Sequence, residues 1–277
     1  MGLRINTNTT SLAAQRTLGV NNQAQAKSLG RLSSGTRIVR SADDAAGLAI
    51  SEKLKAQVRG QNQAERNAND GISMIQTAEG GLSEVGNILI RMRELSVQAA
   101  SDTVGDSERS FTDLEYQNLK QEIERISQVT EFNGKKLLDG EGESFDFQIG
   151  INNDDFQDRI QFNTEMLGAG VEKLGVSELG VESKEGAQGA LASLDQAIQK
   201  VSGQRAELGA KQNRLQSTVQ NLQTSTENMN AANSRIRDTD YAAESAQNAK
   251  LNILNAAGTS VLAQSNAQGQ NALKLIG

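Results

Sequence analysis

The chain contains no cysteine, histidine, proline or tryptophan, and only 3% of its 277 residues are aromatic. Each absence narrows what the protein can be. Without cysteine there are no disulfides and no thiolate chemistry, so nothing is learned from cysteine about compartment. Without histidine there is no imidazole base, no histidine-bearing zinc site and no catalytic triad of the usual kind. Aromatic side chains dominate compact cores, so their scarcity argues against a large spherical core. Missing proline suits long uninterrupted helices, because proline breaks a helix interior. No stretch approaches the roughly 20 apolar residues of a membrane span, so no membrane insertion is expected. The opening Met1–Thr10 has no apolar h-region, and a cleavable secretory signal is not expected. The chain should then be cytoplasmic, or leave by a route that reads no such signal.

Acidic residues are also missing from both ends. The formal net charge is −6, yet residues 1–42 hold Arg4, Arg16, Lys27, Arg31, Arg37 and Arg40 and no acid, and residues 245–277 hold Lys250 and Lys274 and no acid. The two ends thus share a character that the acidic middle lacks. Their positive charges are sparse and have no aromatic neighbours, which does not favour nucleic-acid binding.

What the chain does have is helical periodicity. Between residues 187 and 236 an unbroken heptad row reads Ala187, Leu194, Val201, Leu208, Leu215, Leu222, Met229, Ile236, the mark of a long helix lying along another helix. A second stripe from about 43 to 100 runs through Leu54, Val58, Ala68, Ile72, Ile75, Leu82, Val85, Leu89, Met92 and Leu95. Ser41 is expected to cap this helix, with Asp43 and Asp44 in its first turn. A shorter helix at about 107–129 should turn Phe111, Leu114, Ile123, Ile126 and Val129 inward. Residues 3–32 read as a weak amphipathic helix with Leu3, Ile5, Leu12, Leu18, Leu29 and Leu32. The stretch from 243 is helical through Ala243, Ala246, Lys250, Ile253, Ala257, Val261, Gln264 and Ala267, with Leu251, Leu254, Leu262, Leu273 and Leu275 outside that row. A helix apolar on more than one side needs more than one neighbour.

Between these helices, Phe145, Phe147 and Ile149 alternate, as do Ile160 and Phe162, around the turn-forming Asn152-Asn153-Asp154-Asp155. A β-hairpin is expected there, with a loop over 165–183. The paired carboxylates Asp43-Asp44 and Asp154-Asp155 are accounted for by capping and turn formation. No glycine-rich phosphate-binding signature follows a strand, and the glycines near 80 sit in a helical pattern where they allow close packing. Nine Asn or Gln in 245–277 could form amide ladders between packed helices or simply solvate a polar face. The fold class is therefore mainly α: a long antiparallel, coiled-coil-like helical rod with a small β-hairpin region and paired terminal helices. The expected division is a discontinuous terminal domain, 1–40 with 236–277, and a rod domain, 41–235, with hairpin and loops at about 140–183. No enzyme activity and no cofactor are expected.

Several runs resemble those of bacterial flagellins. The start Ile5-Asn6-Thr7-Asn8 followed by Leu12, Ala14, Gln15 and Leu18 is similar to the flagellin N-terminus, and Ala42-Asp43-Asp44-Ala45-Ala46-Gly47-Leu48-Ala49-Ile50-Ser51 resembles the family's most distinctive run. Further matches are Ser33-Ser34-Gly35 with Ile38, Arg93-Glu94-Leu95 with Val97-Gln98, Phe132-Asn133-Gly134 with Leu137-Leu138, Phe147-Gln148-Ile149-Gly150, Ile236-Arg237-Asp238-Thr239-Asp240 and Gln264-Ser265-Asn266. The likeness covers nearly the whole chain, and only about 140–185 stands where flagellins often carry large variable outer domains.

The resemblance implies a structural subunit that polymerises into the flagellar filament for motility, extracellular after export by the flagellar type III apparatus. The terminal helices would line the inner tube, order on polymerisation, and carry the self-assembly residues Ile5, Leu12, Leu18, Leu29, Leu32, Leu251, Leu254, Val261, Leu262 and Leu273. Implied partners are further copies of the chain, a flagellar export chaperone, and the filament cap and hook–filament junction proteins. The innate immune receptor that senses flagellin is implied too, through Arg91, Leu95 and Glu115. Some relatives carry a zinc peptidase, which a chain without histidine cannot form. The alternative reading is a hook–filament junction protein.

Overall fold

The computed structural model describes the backbone of residues 7–142 and 144–274, and side chains to residue 267. The fold is mainly α. Helices α1 (Thr9–Ser34), α2 (Ala45–Ala99), α3 (Asp106–Val129), α4 (Lys184–Arg237) and α5 (Tyr241–Lys274) carry the chain. The strands β1 (Glu131–Phe132) with β2 (Lys135–Lys136), and β3 (Ser144–Gln148) with β4 (Arg159–Asn163), make two antiparallel pairs. Two compact units result: a terminal unit of 1–56 with 228–277, and a central unit of 57–227.

The central unit owns the hydrophobic core. Helix α2 supplies Met74, Ile75, Leu82, Val85, Leu89, Met92 and Leu95, and α4 supplies Ala187, Leu194, Val201, Leu208 and Leu215. The heptad row of α4 is therefore buried for its first five members, while Leu222, Met229 and Ile236 are half-buried. The loop after β4 is folded into the same core through Leu167, Leu174, Val176 and Val181. Its backbone needs polar partners once buried. Lys120 Nζ donates to the Ser177 and Leu179 carbonyls, Gln204 Nε2 to Met166 O, and the Val181 amide to Asp113 Oδ1.

Helix α3 keeps Ile123 and Ile126 inward as expected but departs from the rest of its expected face. Phe111 and Leu114 are 71% and 63% exposed and Val129 is exposed too, whereas Arg109, Thr112, Asp113, Tyr116, Ile123 and Ser127 are buried. The physical reason is that Arg109, Asp113 and Ser127 find partners in the interior. Arg109 donates from Nε to Ala99 O at 2.9 Å, from Nη2 to Ser101 O at 3.0 Å and from Nη1 to Asp106 at 2.8 Å. The guanidinium thus caps the last turn of α2. Arg109→Ala should lower the stability of the central unit by about 2–3 kcal/mol, read as a shift of its urea midpoint.

In the β3–β4 hairpin Phe147 faces Ile160 and Phe145 faces Phe162. The Phe147 ring lies 3.2 Å from where a Cβ on Gly71 would be, so a side chain there would push the ring slightly off α2. At the hairpin tip Asp154 Oδ1 accepts from the Phe156 and Gln157 amides, and Phe156 is 83% exposed. The β1–β2 turn is Asn133-Gly134, both at positive φ, as a two-residue hairpin loop requires.

Candidate functional site

In the terminal unit, α1 and α5 pack against each other. Asn8 caps α1 by accepting from the Ser11 amide, and Gly35 ends it in the left-handed conformation, its N–H on Arg31 O at 2.9 Å. Asp240 Oδ1 accepts from Ala242 and Ala243 at the start of α5. The two linkers are stitched together between these ends. Thr36 bridges Asp238, the Arg37 amide donates to Arg237 O at 2.6 Å, and the Thr239 amide donates to Gly35 O at 3.0 Å. Arg237 also pairs with Glu52 at 2.6 Å, and Ser51 donates to Asn233 Oδ1 at 2.8 Å.

The helix start after this linker corrects one expectation. Asp44, not Ser41, is the cap: its Oδ1 accepts from the Gly47 amide at 2.8 Å. Asp43 takes the Val39 and Arg40 amides and Lys27 Nζ at 2.7 Å. The Lys27 hydrogen bond, followed by that of the Arg40 amide, lowers the Asp43 carboxyl from 3.8 to about 2. A carboxyl held below its unfolded value adds stability above that value and loses it as pH falls through the folded one. The midpoint difference between wild type and Asp43→Asn in urea should therefore be present at about pH 6 and close as pH falls from about 4 to 2.

The inward faces of α1 and α5 follow a three–four spacing. On α1 they are Ser11, Ala14, Leu18, Asn21, Gln25, Ser28 and Leu32; on α5 they are Glu244, Asn248, Leu251, Asn255, Gly258, Leu262 and Ser265. The α5 row expected from sequence, Ala243 through Ala267, is exposed throughout. Its alanines and Ile253 are more apolar than the true seam, so apolarity alone picks the wrong side. The seam is polar and hydrogen-bonded: Asn8 Nδ2 to Ser265 O at 2.9 Å, Thr10 with Ser265 at 2.8 Å, Ser11 to Asn266 at 2.8 Å, and Asn255 Nδ2 to Gln25 Oε1 at 2.5 Å. Gln25 also donates to Asn252, and Arg31 pairs with Glu244 at 3.5 Å.

The ten expected assembly residues fall into three sets. Leu18, Leu32, Leu251 and Leu262 lie in the seam and are covered wholly or in part. Leu12, Leu29, Leu254 and Val261 are exposed large apolar side chains, and so are Val20 and Ile253, which the expected set did not include. Ile5 lies outside the described residues, as does the side chain of Leu273; Leu3 and Leu275 are likewise outside them.

The expected receptor-contact residues belong to the central unit. Arg91 and Glu115 meet on the surface, with Arg91 Nη2 at 2.9 Å and Nε at 3.1 Å from Glu115 Oε1, and Arg91 Nη1 reaching Glu94 at 3.0 Å. These bonds raise the Arg91 pKa, through Glu94 first and then Glu115. Leu95 is not part of that surface; it is buried in the core beneath. Its step of three along α2 from the buried Met92 places it on the inward stripe. Among the described residues no group of three or more acidic side chains could hold a metal ion, and no helix is long and apolar enough to cross a membrane.

Comparison with known proteins places these features. Residues 5–143 match the bacterial flagellin N-terminal helical region and residues 191–276 the bacterial flagellin C-terminal helical region. The chain is 44% identical over 273 residues to a flagellin of Halalkalibacterium halodurans, covering 98% of this chain and 99% of that one. It is 42% identical to a flagellin of Bacillus subtilis, covering 99% and 100%, and 44% identical to the flagellar filament 33 kDa core protein of Treponema phagedenis, covering 98% and 99%. The crystal structure of Bacillus cereus flagellin superposes with a TM-score of 0.50 at 32% identity, over 61% of this chain and 94% of that one. A putative flagellar hook-associated protein from Vibrio parahaemolyticus, 14% identical with a TM-score of 0.58 over 71% of this chain and 100% of that one, shares the fold. With both family regions matched and full-length relatives above 40% identity, the chain belongs to the bacterial flagellin family.

Proposed function

We propose that this chain is the structural subunit of a flagellar filament, polymerising for motility after export by the flagellar type III apparatus. The observation that carries this is the apolar surface that the α1–α5 pair leaves uncovered. Its seam mixes Ser, Asn and Gln with four leucines, while Leu12, Val20 and Leu29 on α1 and Ile253, Leu254 and Val261 on α5 stand in solvent. Uncovered apolar side chains at this density mark an interaction surface, and further copies of the chain are the occupant that the family supplies. Contacts that repeat head to tail without closing give an open helical filament.

In this reading 1–40 with 236–277 form the inner core, and 41–235 the surrounding shell. The working location is extracellular, in the filament. An export chaperone, the filament cap and the hook–filament junction proteins complete its partners. The exposed Arg91–Glu115 pair supports contact with the innate immune flagellin receptor, with Leu95 holding α2 from beneath. The role is structural, and the full-length flagellin relatives favour it over a hook–filament junction protein. Purified chain added to filament fragments should elongate them, as seen by electron microscopy; no growth across a range of salt and pH would refute the proposal.

A further inference from the structure

Apolar burial alone does not explain how α1 and α5 are turned toward each other. The hydrophobic effect is non-directional and follows the area removed from water. Rotating both helices would bring Val20 and Leu12 against Ile253 and Val261, burying large side chains that the observed pairing leaves exposed. The observed pairing covers Leu18, Leu32, Leu251 and Leu262, but with them Ser11, Asn21, Gln25, Ser28, Asn248 and Asn255. Something must select this mixed face.

The geometry points to Gln25, Asn252 and Asn255: we infer that this amide group is the positioning device that fixes the rotation and own-chain pairing of α1 with α5, and so keeps the apolar faces free for other copies. The inference rests on the filament reading for the purpose of those faces, but not for the pairing itself. Gln25 uses both ends of its amide, accepting from Asn255 Nδ2 at 2.5 Å and donating to Asn252 Oδ1. Such a bond pattern exists in one relative rotation only. The group does not serve stability well, because Asn255 Oδ1 is buried without a partner, and an unmade buried hydrogen bond is costly. A polar residue kept in a helical seam at a cost in stability is a specificity element. One steric feature supports the same setting: Leu18 Cδ1 lies 2.9 Å from where a Cβ on Gly258 would be, a side chain filling the space that glycine leaves. The Thr36–Asp238 bridge and the backbone bonds of Arg37 to Arg237 and Thr239 to Gly35 anchor the pair at its base, and Asn8, Thr10 and Ser11 tie its far end to Ser265 and Asn266; the amide group sets the rotation between these two ends.

The chain has no cysteine, so introduced pairs report the pairing cleanly. In full-length protein assembled on filament fragments, Leu18→Cys with Gly258→Cys should close a disulfide within one chain, seen as a faster-running monomer band on a non-reducing gel. Adding Gln25→Ala and Asn255→Ala should lower that intrachain fraction about tenfold, while Val20→Cys with Ile253→Cys gains intrachain or between-chain product. Exchanging the amides, Gln25→Asn with Asn255→Gln, should restore the Leu18–Gly258 product, which separates positioning from a folding defect. An unchanged intrachain fraction in the alanine variant overturns the inference, and so does failure of the exchange to restore it. If the parent chain does not elongate fragments, the filament reading falls, and the same fractions measured in the soluble chain decide the amide inference alone.

Discussion

A chain ending at Glu244 keeps its central unit and loses filament growth. Every large member of the hydrophobic core, from Ala68 to Leu215 with Val219 packed against it, belongs to residues 57–227. Removing 245–277 deletes none of them, so the cooperative urea transition of the central unit should stay within about 0.5 kcal/mol of the full chain. The terminal unit, by contrast, loses Leu251, Asn255, Gly258, Leu262 and Ser265, the whole partner face of α1 beyond Glu244. Leu18 is then uncovered, and the hydrogen bonds of Asn8, Thr10, Ser11 and Gln25 to α5 are gone. The exposed Ile253, Leu254 and Val261 go with them. Elongation from filament fragments, followed by light scattering and electron microscopy, should fall below detection. A truncated chain that still lengthens fragments would remove the assembly role of α5.

Leu194→Ala should cost about 2–5 kcal/mol, and Leu114→Ala less than about 0.5 kcal/mol. The two substitutions delete the same atoms. Leu194 is fully buried in the heptad row of α4, in the core that Leu82, Leu89 and Met92 share, so its removal leaves a cavity as well as a lost transfer term. Leu114 projects from the solvent side of α3, where truncation leaves no cavity. Urea midpoints of the two variants, with the slope unchanged, give the comparison directly. Equal losses would mean that α3 packs by the face that Phe111 and Leu114 suggest, and that the burial described for Tyr116 is wrong.

The difference between these two leucines also shows where sequence is a sufficient guide. In α2 and α4 the inward stripe is made of Leu, Ile, Val, Met and Ala at three- and four-residue steps, so periodicity and burial coincide. The hairpin was legible for the same reason: Phe145, Phe147, Ile160 and Phe162 alternate and pair across the strands. In α3 three inward positions are taken by Arg109, Asp113 and Ser127, because a folded loop and the end of α2 present backbone groups that need partners. Those partners come from distant residues, and no local pattern announces them. The terminal pair is the extreme case. Its seam keeps heptad spacing, but with Ser, Asn, Gln and Gly between the leucines, a signal that a search for apolar repeats passes over. The linker clamp of Gly35 and Arg37 with Arg237 and Thr239 uses mainly backbone atoms, with the Arg37 side chain donating to Ile236 O, and no apolar pattern announces it. Among the expected assembly residues, only the folded pair separates those spent on the intrachain contact from those left exposed.

The tip between β3 and β4 has a practical corollary. Its turn is held by Asp154 binding its own neighbours, and Phe156 beside it touches little else. Exposed tips of this kind tolerate spliced-in sequence. A guest peptide grafted there would be displayed once per protomer, at a regular spacing set by the polymer's lattice.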